Sequence, residues 1–187
     1  MLTCVVLAEF ADLGHKLFRT TRETYPIAFV PGDVFDPKHL DIVPPVASAH
    51  APTSPPGEDP VPDLRSLTSL NPLHGRVSAI HVSSLFHFFS EEKQLHLVHA
   101  LAGLLSPESG SVIFGRHVGN HEKGFISPPG HAGRQMFCHS PESWTELWDG
   151  VVFEKGVVTV QVELVQVETK EPPTRTITVL EWSVTRL

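Results

Sequence analysis

The sequence predicts one α/β domain whose strands form a mostly parallel sheet finished by a C-terminal antiparallel hairpin. Three observations lead there. Short apolar runs alternate with amphipathic helical segments, a strand, helix, strand unit occupies the middle of the chain, and two alternating runs close it. A chain of 187 residues, 41% hydrophobic and 19% charged, has the size of a single hydrophobic core.

The elements follow in order. Thr3-Cys-Val-Val-Leu7 is an apolar run suited to a buried strand, and Glu9 to Phe18 carries Phe10, Leu13, Leu17 and Phe18 at helical spacing. Ile27-Ala-Phe-Val30 is a second strand, stopped by Pro31-Gly32 and followed by the carboxylates Asp33 and Asp36. Residues 41–63 are rich in proline with Ser, Ala and His between, so they read as a surface insertion rather than a domain boundary. Leu64 to Leu70 suits a short helix, and Arg76 to Val82 a central strand.

Ser90 caps the next helix, whose first turn holds Glu91 and Glu92 beside the positive end of the helix dipole. Its apolar arc runs through Leu95, Val98, Ala102 and Leu105 on one side and Leu97, Leu101 and Leu104 on the other. Gly110 turns the chain into the strand Ser111-Val-Ile-Phe114. Ser140, Pro141 and the face Trp144, Leu147, Trp148 define a short capped helix with both tryptophans in the core. Val158 to Leu164 alternates, with a phase shift at Val165 that predicts a bulge, and Ile177 to Val179 pairs back on it as a hairpin.

A formal net charge of −7 without any basic cluster argues against nucleic acid and anionic membranes as partners. Met1 to Phe10 has no positive n-region and is too short to span a bilayer, so a cytoplasmic chain is expected. Cys4 and Cys138 stand too far apart for a metal knuckle and read as buried thiols. His96 and His99 have ligand spacing on a helix, but both fall on its polar side with no matching carboxylate or cysteine, and no metal is expected. Ser83 and Ser84 lie outside any Gly-x-Ser-x-Gly elbow, which excludes the usual hydrolase. His87 follows a strand end and has the chemistry of a general base, against the competing reading of a packed, hydrogen-bonded imidazole. Arg116 and His117 read as pocket lining or as an exposed loop.

Five strings carry a resemblance. They are Glu9-Phe-Ala-Asp-Leu-Gly-His-Lys-Leu-Phe18, Gly32-Asp-Val-Phe-Asp36, Ala79-Ile-His-Val-Ser-Ser-Leu-Phe-His-Phe-Phe89, Gly110-Ser-Val-Ile-Phe-Gly115 and Phe137-Cys-His-Ser-Pro-Glu-Ser-Trp-Thr-Glu-Leu-Trp148. From about Leu7 to Val167 the chain resembles fungal class I S-adenosylmethionine-dependent methyltransferases, including enzymes that methylate polyketide and meroterpenoid intermediates. The resemblance implies an incomplete Rossmann-like sheet, S-adenosylmethionine as cofactor and a small-molecule acceptor. It puts Asp33 on the adenine amine with Val34 and Phe35 against the ring, and Ser83, Ser84 and Leu85 beside the methionine end. His87, Gln94 and Arg116 then fall in the substrate pocket.

The departure is as specific as the likeness. The glycine-rich turn that ends the family's first strand has no counterpart here, so the chain corresponds to a domain lacking its N-terminal part. The acidic residue that holds the ribose falls on Val5, with Glu9 one helical turn away. Loss of that central strand leads to the expectation that Thr3 to Leu7 pairs directly with Arg76 to Val82. It also sustains an alternative function: a non-catalytic remnant that binds or dimerises, as a homo- or hetero-dimer.

Overall fold

The computed structural model describes residues 2–5, 8–21, 23–25, 27–47, 62–127, 135–168 and 174–187. Strand β1 (Leu2–Val5) leads through helix α1 (Ala8–Phe18) to β2 (Ala28–Pro31). After a proline-led 3-10 turn at Asn71–Leu73 come β3 (Ala79–Ser83), a second 3-10 turn at Phe86–Phe88, α2 (Glu91–Leu104) and β4 (Val112–Val118). A short hairpin of β5 (Gly124–Ile126) and β6 (Met136–Cys138) precedes α3 (Pro141–Trp148), and β7 (Val158–Glu168) and β8 (Thr176–Arg186) close the fold.

The main sheet has the order β3-β4-β8-β7. Its β3–β4 ladder is parallel and the two ladders of β8 are antiparallel, so the expectation of a mostly parallel sheet is corrected. The reason lies in one insertion. Strands β3, β4 and β7 run the same way, but β8 returns between β4 and β7 and reverses two of the three pairings.

The expected partner of the first strand is also corrected. Strand β1 pairs in parallel with β2, from Leu2 opposite Ala28 to Val5 opposite Pro31, and β3 pairs only with β4 among the described residues. A parallel pair with its own crossover helix satisfies one edge of β1 locally, with only the α1 connection to close, whereas reaching residue 76 requires closing a much longer loop. Helix α1 leaves Leu13, Leu17 and Phe18 more than half exposed.

One face of the main sheet carries the core. Val82, Ile113, Val158, Leu180, Trp182 and Val184 meet Leu97, Val98, Leu101 and Leu105 from the α2 segment and Trp144, Leu147 and Trp148 from α3. Each fully buried aliphatic side chain here contributes about 1.5–3 kcal/mol over an exposed one. Both tryptophans of α3 are fully buried, as the helix face predicted, whereas Leu95 sits 38% exposed at the edge of the α2 arc. The opposite face of α2 buries Ala100 and Leu104 against Val30, Leu40, Leu70 and Leu73. Residues 64–70 form turns instead of the expected helix.

Local signals placed the helix ends. Ser90 accepts from the Lys93 N–H, and Ser140 forms a reciprocal capping box with Ser143 above Pro141. Gly103 is required where residues 41–46 cross α2, because a Cβ there would lie 2.8 Å from the Val43 carbonyl oxygen. The proline-rich stretch therefore begins seated on the domain, and residues 48–61 lie outside the described ones. Along β7 the pairing with β8 is unbroken from Val158 to Glu168, so the bulge expected at Val165 is absent. The phase shift instead marks where Val165 and Val179 pack on the second face while Leu164 and Leu180 fill the first.

Candidate functional site

Two connections meet at the carboxyl ends of β2, β3 and β4. After β2, Gly32 admits the ring of His39, whose Nδ1 would lie 2.0 Å from a Cβ at that position. Asp33 then accepts from the Phe35 N–H at 2.9 Å through Oδ1 and closes a tight turn. The other carboxylate oxygen makes no hydrogen bond among the described residues, and the residue is exposed. Asp36 closes the next turn on the Lys38 N–H. Val34 and Phe35 are half-buried against the core, and the Phe35 ring meets Phe89 edge-on at 4.8 Å and His96 at 5.5 Å. Phe89 belongs to the connection after β3, so the Asp33 turn and the segment from Ser83 to Phe89 share one rim. His96, expected among solvated polar residues, is held in this packing.

The β3 connection is tightly specified. Ser83 is the exposed last residue of β3, and Ser84 takes a left-handed backbone with φ 55° while its N–H donates to the Arg116 carbonyl at 2.7 Å. Leu85 packs against the core, and Phe86 is fully buried among His117, Trp144 and Trp182. His87 is 8% exposed and accepts from the Val118 N–H through Nδ1 at 3.4 Å.

Strand β4 carries Arg116 and His117 at its end, and neither lies in a loop. Arg116 reaches outward to Glu181 at 3.8 Å. His117 points into the core, 2% exposed, with Nδ1 accepting from the Trp182 indole N–H at 3.0 Å and Nε2 buried without a partner among the described residues. Burial holds His87 below its ordinary value. It pushes His117 down to about 3, helped by His87 and His139 nearby, and His139 to about 4, helped by Lys123 and opposed by Glu91. Desolvation likewise raises the Cys138 thiol to about 11, which keeps it protonated and inert.

A cavity of about 160 Å³ opens at this rim. It is lined by Ser84, His87, Arg116 and His117 and by the apolar residues Val118, Val167, Ile177 and Val179. The structure thus unites three of the sequence-predicted residues, Ser84, His87 and Arg116. Asp33, Val34 and Phe35 stand in the adjoining turn, outside the cavity wall, and Ser83 and Leu85 flank it in sequence. Gln94 is corrected: it is fully buried, its amide donates to the carbonyls of Phe89 at 3.0 Å and Phe137 at 2.9 Å, and it does not line the cavity. Sequence reasoning missed the hairpin wall and the inward role of His117. A polar residue in phase with apolar Ile113 on the same strand was the available signal. Among the described residues no three His, Cys, Asp or Glu side chains gather as metal ligands.

No protein-family model matches the chain. Among curated proteins it is similar to the O-methyltransferase phiE of Fungal sp. (strain ATCC 74256), 28% identical over 162 residues, which is 87% of this chain and 44% of that protein. The chain therefore spans less than half the length of that relative. Among solved structures it is similar to a SAM-dependent methyltransferase from Methanosarcina mazei, with TM-score 0.58 and 8% identity over 100% of this chain and 81% of that one. It is also similar to a protein solved for the conversion of a disulfide bond into a thioacetal group during echinomycin biosynthesis, with TM-score 0.52 and 10% identity over 99% and 65% of the two chains. The complex of DhpI with SAH gives TM-score 0.50 and 11% identity over 99% and 65%. At such identities the likeness establishes the fold alone, which is Rossmann-like.

Proposed function

We propose that this chain is the acceptor-side portion of an S-adenosylmethionine-dependent methyltransferase acting on a small molecule of the fungal secondary-metabolite kind. The observation that carries the reading is the meeting of Phe35 with Phe89, which sets the Asp33 turn beside the β3 connection and its cavity. Ligands of open α/β sheets bind at this carboxyl rim. The likeness to the fungal O-methyltransferase and to the M. mazei fold points the same way.

The residues present fit the adenosyl end of the cofactor. The outer oxygen of Asp33 is exposed and unpartnered among the described residues, which suits an amine donor, and Val34 and Phe35 supply apolar surface beside it. Ser83, Ser84 and Leu85 would face the methionine end. Bound there, S-adenosylmethionine supplies a methyl group on a sulfonium that departs as a thioether. The protein's own work is alignment: the β3 connection holds the acceptor in line and the hairpin wall excludes water. Within these 187 residues no glycine-rich turn stands at the amino-acid end and Val5 stands where the resemblance puts the ribose-binding acid, so the contacts offered to the cofactor are those of the Asp33 turn and the β3 connection.

Calorimetric titration with S-adenosylhomocysteine tests this directly. Saturable heat in the millimolar range supports it, and none at several-fold higher ligand rejects the enzyme reading for this chain. A second reading, a non-catalytic relative that pairs with another chain, draws on β3 having one paired edge among the described residues. A monomer by sedimentation at high concentration would sink that reading.

A further inference from the structure

The main sheet has two unlike faces. One carries the core. On the other, register puts Arg116, Glu181 and Glu163 in one rung across β4, β8 and β7, and His81 beside Phe114 in the next. Both rungs lie open: His81, Phe114, Arg116 and Glu163 are exposed, and the face forms a groove of about 990 Å³. The His81 ring lies 5.0 Å from that of Phe114, which gives the groove an aromatic floor. Beside it Glu163 and Glu181 stand directly opposite each other, an arrangement that like charges disfavour. Arg116 answers Glu181 at 3.8 Å, which leaves Glu163 without an ion pair among the described residues.

Helix α1 carries the converse surface. Its His15 side is engaged at home, with Nδ1 in a 2.9 Å hydrogen bond to the Thr20 hydroxyl and the ring edge-on to Tyr25 at 5.8 Å. At about 100° per residue, Lys16, Leu13, Leu17, Gly14 and Phe18 follow one another round the remaining side. Leu13 is 56%, Leu17 76% and Phe18 74% exposed, and a Cβ on Gly14 would meet nothing within 4 Å. A glycine inside a helix weakens it, and no contact among the described residues requires this one. Lys16 flanks the stripe and makes no ion pair among those residues.

We propose that the chain forms a two-fold dimer in which α1 of each copy lies in the sheet groove of the other, with Leu13, Leu17 and Phe18 over His81 and Phe114 and Lys16 beside Glu163. Both surfaces are exposed in one chain, so α1 does not fill its own groove. Contiguous apolar surface supplies the drive, Gly14 lets the sheet approach the helix backbone, and the charges set the register. An apolar stripe flanked by a free cation fits an aromatic floor flanked by an excess carboxylate. Reciprocal exchange closes the assembly at two copies, because each then gives and receives one helix. The interface uses a sheet face and not the β3 edge, and it is independent of methyl transfer.

Sedimentation of the full chain from roughly 5 to 500 μM tests this, the range in which a micromolar association shows itself. A monomer–dimer equilibrium with a limiting mass of two chains is expected. Leu17→Ser and Phe114→Ser should each weaken it at least about tenfold, the loss of one apolar anchor. Lys16→Glu and Glu163→Lys, both at exposed positions that leave the fold intact, should each weaken it about tenfold. The chain carrying both reversals should recover most of the lost affinity, because the exchanged charges attract again. Glu163→Lys also lowers the overall repulsion between acidic copies, so a loss of affinity on that change is not a net-charge effect. Gly14→Gln should weaken the dimer without lowering the thermal midpoint. A monomer at every concentration overturns the proposal, as does growth past two copies with no limiting mass. A dimer indifferent to the single charge reversals, or one that the double reversal fails to restore, overturns it too and returns the pairing to the β3 edge, which carries neither residue.

Discussion

The indole N–H of Trp182 donates to Nδ1 of His117 across 65 residues of sequence, at 3.0 Å and out of reach of solvent. It ties the centre of β8 to the end of β4 and fixes the His117 ring in the core beside Phe86 and Trp144. Trp182→Phe keeps an aromatic ring against Trp144 and Trp148 but removes this donor and some volume. The expected loss is about 2–4 kcal/mol, combining an unpaired buried acceptor with a small void. Urea unfolding measures it, and the long-range proton–nitrogen spectrum of His117 should change from one tautomer to a mixture.

Stability should fall as the solution is acidified through the ordinary histidine range. His117 and His139 titrate near 3 and 4 in the folded chain because burial disfavours their charged forms. In the unfolded chain both take protons near 6.5. Between those values the unfolded state binds more protons, so unfolding free energy rises with pH, is fully present above about 7 and is lost progressively below about 6.5. Each histidine should remove about 1–2 kcal/mol between pH 7 and about 5. Denaturant melts at the two pH values check this, and a folded His117→Asn chain should show the shallower dependence.

Gln94 joins the β3 connection to β6 through a single amide, donating to both Phe89 and Phe137 carbonyls. Gln94→Leu should leave both carbonyls without that donor in a site that excludes water, at a cost of about 2–5 kcal/mol. Hydrogen exchange should quicken in β5, β6 and the Phe86–Phe88 turn, while β7 and β8 keep their protection. Uniform loss of protection across the sheet would mean that Gln94 supports the whole core and not this junction.

The features legible in the sequence are those decided within a few residues. Ser90 and Ser140 announce the starts of α2 and α3 because a cap needs only its own next three N–H groups. The same locality explains the Asp33 turn. Leu95 misled because helical spacing defines an apolar arc without stating which edge meets the sheet. The phase shift at Val165 misled for a related reason: alternation reports which faces are covered, and near the hairpin tip both are. Partners chosen over long distances stayed hidden. The sequence does not show that β1 takes β2, that β8 enters between β4 and β7, or that Trp182 reaches His117, since each is settled by competing closures of the chain. The candidate site was legible as positions at strand ends, while the inward turn of His117 onto Trp182 required coordinates.

Asp33 offers the sharpest separation between fold and ligand. One carboxylate oxygen closes the turn on the Phe35 N–H, and the other faces solvent. Asp33→Asn can keep the turn with its amide oxygen on the Phe35 N–H, which puts an NH2 group where the outer oxygen stood. If that oxygen accepts from the adenine amine, the substitution sets donor against donor. Affinity for S-adenosylhomocysteine should then fall by about tenfold or more, the worth of one hydrogen bond to a charged acceptor. The thermal midpoint should stay within about 2 °C of the parent, because an exposed residue that keeps its local bond contributes little to stability. Unchanged affinity in the calorimeter would confine Asp33 to shaping its turn and move the adenine contact elsewhere on the rim. A lowered midpoint with unchanged affinity would show that the carboxylate charge itself, and not merely an acceptor atom, holds the turn in which Phe35 reaches Phe89.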